Sequence, residues 1–136
     1  MSLYDTNLDK NNANYVPLTP LTFLKRAKEI YPNYEALIYE DRKFTWDQVY
    51  KRTVKFASAL NKIGVGKGDT VSFLAFNTPE IFEGHYSVPM TGAVLNTINI
   101  RLDAKTIAYI LDHSEAKVLV VDRQLHVEVK KALTTL

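Results

Sequence analysis

From Thr70 onward, short apolar runs alternate with stretches whose apolar residues recur at three- and four-residue spacing. "TVSFLAF", "AVLNTINI" and "KVLVVD" are of strand length; "TPEIFEGHYSVPM", "DAKTIAYILDH" and "QLHVEVKKAL" carry helical spacing. Three strand–helix alternations with short connections predict parallel strands joined by helical crossovers. Such a sheet needs cover on both faces. Thr78 with Pro79, and Asp103, are the predicted starts of the first two helices.

The pattern ahead of Thr70 differs. "VPLTPLTFLKRAKEIYP" predicts a helix capped by Thr19, with Pro20 at its first position and Pro32 ending the run. Its apolar face is expected to hold Phe23, Leu24, Ala27 and Ile30. "EALIYEDRKFTW" reads as a β-hairpin turning near Asp41. Thr45 and Gln48 form a capping box, and the helix they open places Val49, Phe56, Leu60 and Ile63 on one face. Gly64 ends it. The fold expected is therefore α/β: an N-terminal helix and hairpin, then βα units forming a partial parallel sheet in a layered α/β/α arrangement. Residues 1–16, polar and without period, are expected to be a mobile tail whose "MSL" is a cloning remnant; residues 17–136 form the folded part. The last helix runs to Leu136 without a stop, which predicts an incomplete domain.

Within the second parallel strand, period two places Val94, Ile98, Ile100 and Leu102 on one face, with Asn96 as a polar exception. Leu95, Thr97, Asn99 and Arg101 fall on the other, which turns polar toward its end. One face is expected to pack and the other to border something polar. Arg101 is placed at the C-terminal end of this strand, where ligands of open α/β sheets gather. It is either a partner for Asp103 or Glu115, or an anion-binding group; the residues alone leave both open.

Composition narrows the function classes. The 136 residues are 46% hydrophobic and 24% charged, with net charge +2, too little to argue for nucleic acid. The basic stretches "LKRAK" and "VKKAL" read as solvated helix faces. The absence of cysteine removes disulfides, thiolate nucleophiles and Cys-based zinc sites. No apolar run reaches the roughly 18 residues of a membrane span, and a cytoplasmic protein is expected. "GVGKGD" at 64–69 has glycines and a lysine but follows a helix and precedes a strand. A phosphate cradle needs the opposite order, so this is a helix stop and turn. His85, His113 and His126 lie on different helices without a second ligand at three or four residues, which argues against a metal site. His113 reads as a surface group at a helix end. His85 lies four residues before Pro89, which removes the helical bond to its carbonyl; the resulting kink makes His85 a candidate pocket-wall residue. Asp69 and Asp122 read as turn and cap residues.

Taken together in order and spacing, "NYVPLTPLTFLKRAKEIYPNYEALIYEDRKFTW", "ALNKIGVGKGDTVSFLAFNTPE", "GHYSVPMTGAVLNTINIRL" and "IAYILDHSEAKVLVVD" resemble the N-terminal region of the AMP-forming acyl-CoA synthetases. The likeness covers Tyr15 to Asp122 and is greatest to the branch acting on short- and medium-chain or aromatic acids, often labelled long-chain fatty acid–CoA ligases. The resemblance implies a two-step ligase using ATP, Mg²⁺ and coenzyme A, with a carboxylic acid as substrate. It implies that the phosphate loop, the acyl-contacting segments and the catalytic lysine follow this region, so the chain alone is expected to be inactive. By the family's N-x-R-L turn, Arg101 becomes a candidate contact to a coenzyme A phosphate, with Asn99 beside it; His85, by its place before Pro89, stays the candidate for the substrate pocket. Ile100 stands where many members have proline. Self-association of the chain, and a homodimer of the parent, are expected. The rival readings are a self-contained flavodoxin-like or receiver-like binding module and a structural fragment forming an assembly surface.

Overall fold

The computed structural model describes residue 7 and residues 9–136. The tail expected over 1–16 lies outside these residues at 1–6 and 8; from 11 to 15 the chain forms a turn in which Asn14 Oδ1 accepts the Asn11 N–H at 2.9 Å. Helix α1 (Pro20–Ile30) starts at the expected cap. Thr19 and Thr22 exchange side-chain and backbone hydrogen bonds, and Pro20 occupies the first turn, where its missing N–H costs nothing. Only Leu24 is buried on this helix. Phe23 and Ile30, assigned to its inner face, are largely exposed. Helices α2 (Trp46–Lys62) and α3 (Pro79–Met90) pack on α1 without covering these two side chains.

Strands β1 (Glu35–Tyr39) and β2 (Arg42–Thr45) form the antiparallel hairpin, its turn made by Glu40 at φ +51° and Asp41. Helix α2 (Trp46–Lys62) opens on the Thr45–Gln48 capping box. It ends in a paired closure on Gly64, at φ +83°. The Gly64 N–H donates to Asn61 O at 3.0 Å and the Val65 N–H to Leu60 O at 3.0 Å. Buried Val65 and Leu60 share one apolar cluster, the contact that usually accompanies this geometry. The buried face of α2 is Val49, Thr53, Ala57 and Leu60; Ile63, expected on it, is exposed because the helix closes there.

The parallel sheet has the order β4–β3–β5, with β3 (Thr70–Leu74) central, β4 (Val94–Thr97) and β5 (Ala116–Val121) outside it. Helices α3 (Pro79–Met90), α4 (Ala104–His113) and α5 (His126–Leu133) complete the chain, a short 3-10 turn at Arg123–Leu125 preceding α5 where helix was expected. Alternation along β3 sends Val71 and Phe73 to one side and Leu74 to the other. Val71 and Phe73 meet Leu60 and Val88 from α2 and α3, joined by Leu95 of β4 and Val118 and Val120 of β5. Leu74 meets Ile107, Leu111 and Val129 from α4 and α5, joined by Ile98, Leu119 and Val121. Two cores, one on each face, make the expected α/β/α layering. Each fully buried Leu, Ile, Val or Phe contributes about 1.5–3 kcal/mol.

The second strand corrects the sequence reading. It ends at Thr97, so Ile100, Arg101 and Leu102 belong to the following turn and not to the strand. Val94, assigned to the packed face, is 55% exposed. The chain here feeds both cores: Leu95 of β4 joins the α2/α3 core and Ile98, just past the strand, the α4/α5 core. Asn96 is satisfied within the second layer, its Nδ2 donating to Ser72 Oγ at 2.9 Å and Ser114 Oγ at 3.2 Å. A polar residue is tolerated in a packed strand when its donors find partners.

Candidate functional site at the carboxyl end of the sheet

The chain leaves β3 toward α3 on one face and leaves β4 toward α4 on the other. Two adjacent strands whose connections diverge leave a crevice between their ends, the usual ligand position of open α/β sheets. Here the ladder runs one residue past the strand, Ile98 N–H donating to Phe73 O at 2.8 Å, before the two chains part. The resulting crevice, about 510 Å³, is lined by Phe76 and Asn77 from the β3 exit, by Thr97, Asn99 and Ile100 from the β4 exit, and by His85 from α3.

Two of the three candidate residues thus meet: His85 and Asn99 border the same crevice. His85 is held by its own helix. Its Nδ1 lies 2.8 Å from Ile81 O, and since a carbonyl only accepts, Nδ1 carries the proton and Nε2 is left free. Pro89, expected to shape this wall by a kink, stands in the last turn of α3. The His85 carbonyl loses its helical donor to that proline, and the helix ends one residue later, at Met90. Thr78 is the N-cap by position but makes no side-chain capping bond.

Asn99 has a structural duty as well. Its Oδ1 accepts the Arg101 backbone N–H at 2.9 Å, a local side-chain turn that bends the chain out of the strand. Its Nδ2 remains for the crevice. Arg101 lies on the rim, exposed, and is not among the crevice-lining residues. Among the described residues no carboxylate stands within 4.0 Å of it. Asp103, one of its two suggested partners, is engaged as the α4 cap. The Thr106 N–H at 2.8 Å, then the Thr106 hydroxyl, hold its carboxyl below the usual range.

Sequence reasoning missed Asn77, although it is a polar residue just beyond an apolar run; Thr97 lines the crevice from the face expected to border something polar. Also missed was the ionic lattice that fixes α3. Arg52 of α2 holds Glu83 through both Nε and Nη2, and Arg42 of β2 reaches Glu80 at 2.6 Å. The guanidinium groups of Arg42 and Arg52 lie over the Phe44 ring, at 5.1 and 4.9 Å respectively from its centroid. The bond to Glu83 raises the Arg52 pKa further despite partial burial. The "GVGKGD" segment is the turn expected: Asp69 accepts from the Gly66 N–H at 2.8 Å and from Lys117 at 2.9 Å, which lowers its pKa. His113 stacks on Tyr109, their ring centroids 5.6 Å apart, and His126 Nδ1 bonds Arg123 O at 2.9 Å; neither approaches the crevice. Asp122 caps the 3-10 turn.

Known proteins place this architecture. Residues 24–136 match the family described as "AMP-binding enzyme". The chain is similar to the peroxisomal trans-cinnamate:CoA ligase of Petunia hybrida, 54% identical over 129 residues, 95% of this chain and 23% of the relative. It is likewise similar to the peroxisomal butyrate–CoA ligase of Arabidopsis thaliana, 57% identical over 116 residues, 85% of this chain and 20% of the relative. The anthranilate CoA ligase solved with anthranoyl-AMP superposes with TM-score 0.81 at 27% identity, over 85% of this chain and 22% of that one. The chain thus spans between a fifth and a quarter of the proteins it matches, and these matches displace the flavodoxin-like and receiver-like alternatives. Fold, strand-end crevice and matched residues agree: this chain belongs to the AMP-binding enzyme family and corresponds to an N-terminal part of its CoA ligases.

Proposed function

We propose that this chain is the N-terminal part of an ATP-dependent, AMP-forming acid–CoA ligase, and that its strand-end crevice borders the coenzyme A channel with Arg101 as a phosphate contact. The reaction is acyl-adenylate formation from a carboxylate and ATP with release of pyrophosphate, then displacement of AMP by the coenzyme A thiol. The observation that carries this reading is an exposed arginine without a carboxylate partner among the described residues, at the rim of a switch-point crevice and inside the segment that matches the family. An unpaired guanidinium is suited to a phosphate, whose oxygens accept charge-assisted bonds from its planar fork. Asn99 sets the turn that presents it, and His85 closes the crevice from α3. Among the described residues no cluster of three or more His, Asp or Glu stands together to hold a metal ion by itself. No step of adenylation is assigned to them.

The names of the relatives support a short-chain or aromatic acid as substrate. No helix among the described residues is long and apolar enough to cross a membrane. We infer a reducing compartment from the cysteine-free sequence: the cytoplasm, or the peroxisome that several relatives' names print.

The test is the complete reading frame assayed for both half-reactions against a panel of acids, with Arg101→Ala and Arg101→Lys. Loss of a charge-assisted bond of roughly 1.5–3 kcal/mol should raise the KM for coenzyme A about ten- to a hundredfold while leaving adenylation unchanged. Lysine should restore part of it. An unchanged coenzyme A dependence in the alanine variant removes the phosphate role. Absence of any acid- and ATP-dependent thioester formation by the wild type removes the ligase reading itself.

A further inference from the structure

A second concavity adjoins the crevice and has no role in the reading above. It runs between the outer face of strand β1 and helix α3, and encloses about 520 Å³, within the roughly 300–1,000 Å³ of small-molecule sites. One wall carries Leu37 and Tyr39, the other Phe82 and Tyr86, whose rings meet edge to face at 5.4 Å. Asn77 and His85 line both this trough and the crevice, and Thr78 adds a hydroxyl beside them in sequence.

Three features define what fits. The aromatic walls favour a flat ring, which gains from edge and face contacts with Tyr39, Phe82 and Tyr86 beyond its apolar area. No Asp, Glu, Lys or Arg side chain among the described residues lines the trough, so an ionised ligand would shed water without finding a countercharge. His85 has its Nδ1 proton committed to Ile81 O at 2.8 Å. In neutral imidazole the opposite nitrogen, Nε2, is then an acceptor only. At His85 the trough therefore offers an acceptor to a donor.

We propose that the trough between the hairpin and α3 is a binding site for a neutral, single-ring aromatic molecule carrying a hydrogen-bond donor, with the ring between Tyr39 and Phe82 and the donor on His85 Nε2. This rests on the geometry of the trough alone and stands whether or not the ligase reading does. Because His85 and Asn77 face both spaces, an occupant of the trough touches the same residues as a ligand in the crevice, and the two are coupled.

Phenol, anisole, cyclohexanol and benzoate are the probes, titrated separately into the isotope-labelled chain and followed by two-dimensional NMR. Phenol should give saturable shifts confined to the amides around Tyr39, Asn77, Phe82 and His85. Anisole, with the same ring and no donor, should bind about two- to tenfold more weakly. Cyclohexanol and benzoate should each bind more weakly than phenol. In His85→Leu, an exposed position where the fold is checked by unchanged β5 resonances, the preference of phenol over anisole should vanish. His85→Gln, which restores an acceptor oxygen, should recover part of it. Shifts that fail to saturate or map elsewhere overturn the proposal. So does benzoate or cyclohexanol binding as tightly as phenol, or a phenol preference that survives in His85→Leu.

Discussion

Gly84→Ala sets two well-measured effects against each other. Gly84 lies mid-helix in α3 and is buried. A Cβ built there would stand 2.8 Å from Phe73 Cζ and 3.0 and 3.3 Å from its two Cε atoms. Carbon atoms prefer about 3.5–4.0 Å, so helix and ring would have to part by roughly 0.7 Å or more. Phe73 is 1% exposed and stands edge-on to Phe56 at 6.1 Å between centroids. Overpacking of this kind costs about 1–3 kcal/mol, whereas alanine gains about 1 kcal/mol over glycine in helix propensity. The net expectation is a loss of about 1 kcal/mol. The decisive measurement is the coupling: in a Phe73→Leu background the head-on contact is gone, and Gly84→Ala should become stabilising by about 1 kcal/mol. Urea unfolding followed by circular dichroism, at one fixed protein concentration and with comparable slopes, gives all four corners of the cycle. A Gly84→Ala variant more stable than wild type, with effects additive to within about 0.5 kcal/mol, would show that α3 does not rest on the Phe73 ring.

Arg52→Met should destabilise more than Glu83→Gln, about 2 against about 1 kcal/mol, because the first strands a carboxylate 7% exposed while the second leaves a guanidinium 39% exposed and near Glu80; thermal melts of both variants check the order. Acid should weaken the fold. Asp69 is held low by Lys117 and the Gly66 N–H and Asp103 by Thr106, and burial, which raises the Glu80 pKa, is outweighed by Arg42, its own backbone N–H and the Thr78 side chain together. A folded pKa below the unfolded one contributes stability above the unfolded value, and that contribution is lost as pH falls through the folded value. Urea midpoints should therefore drop below about pH 4, less steeply in Asp103→Asn; a flat profile there contradicts the assignment. The chain should also self-associate, since β4 and β5 each present an outer edge with no strand partner among the described residues; a concentration-independent monomer in sedimentation velocity refutes it.

Capping and turn chemistry were legible residue by residue, because they depend on neighbours within four positions. Thr19 with Pro20, Thr45 with Gln48, Gly64, Asp103 and Asp122 all act where local rules place them. The alternation after Thr70 likewise determined parallel strands and two-sided cover, since both follow from period and connection length. Which residues lie inside was decided only by the third dimension. Phe23, Ile30, Ile63 and Val94 fit an apolar stripe yet stand exposed, because no neighbouring element reaches them. Asn96 looked out of place until Ser72 and Ser114, 24 and 18 residues away, supplied its partners. The candidate site shows the same division. His85 and Asn99 were singled out on separate grounds, but only the divergence of α3 and α4 to opposite faces brings them to one crevice. Arg101 was read as the end of a strand; the Asn99 turn, a contact of two residues, takes it to the rim instead. Sequence carries the interactions that are short along the chain, while burial and convergence depend on which distant elements share a face.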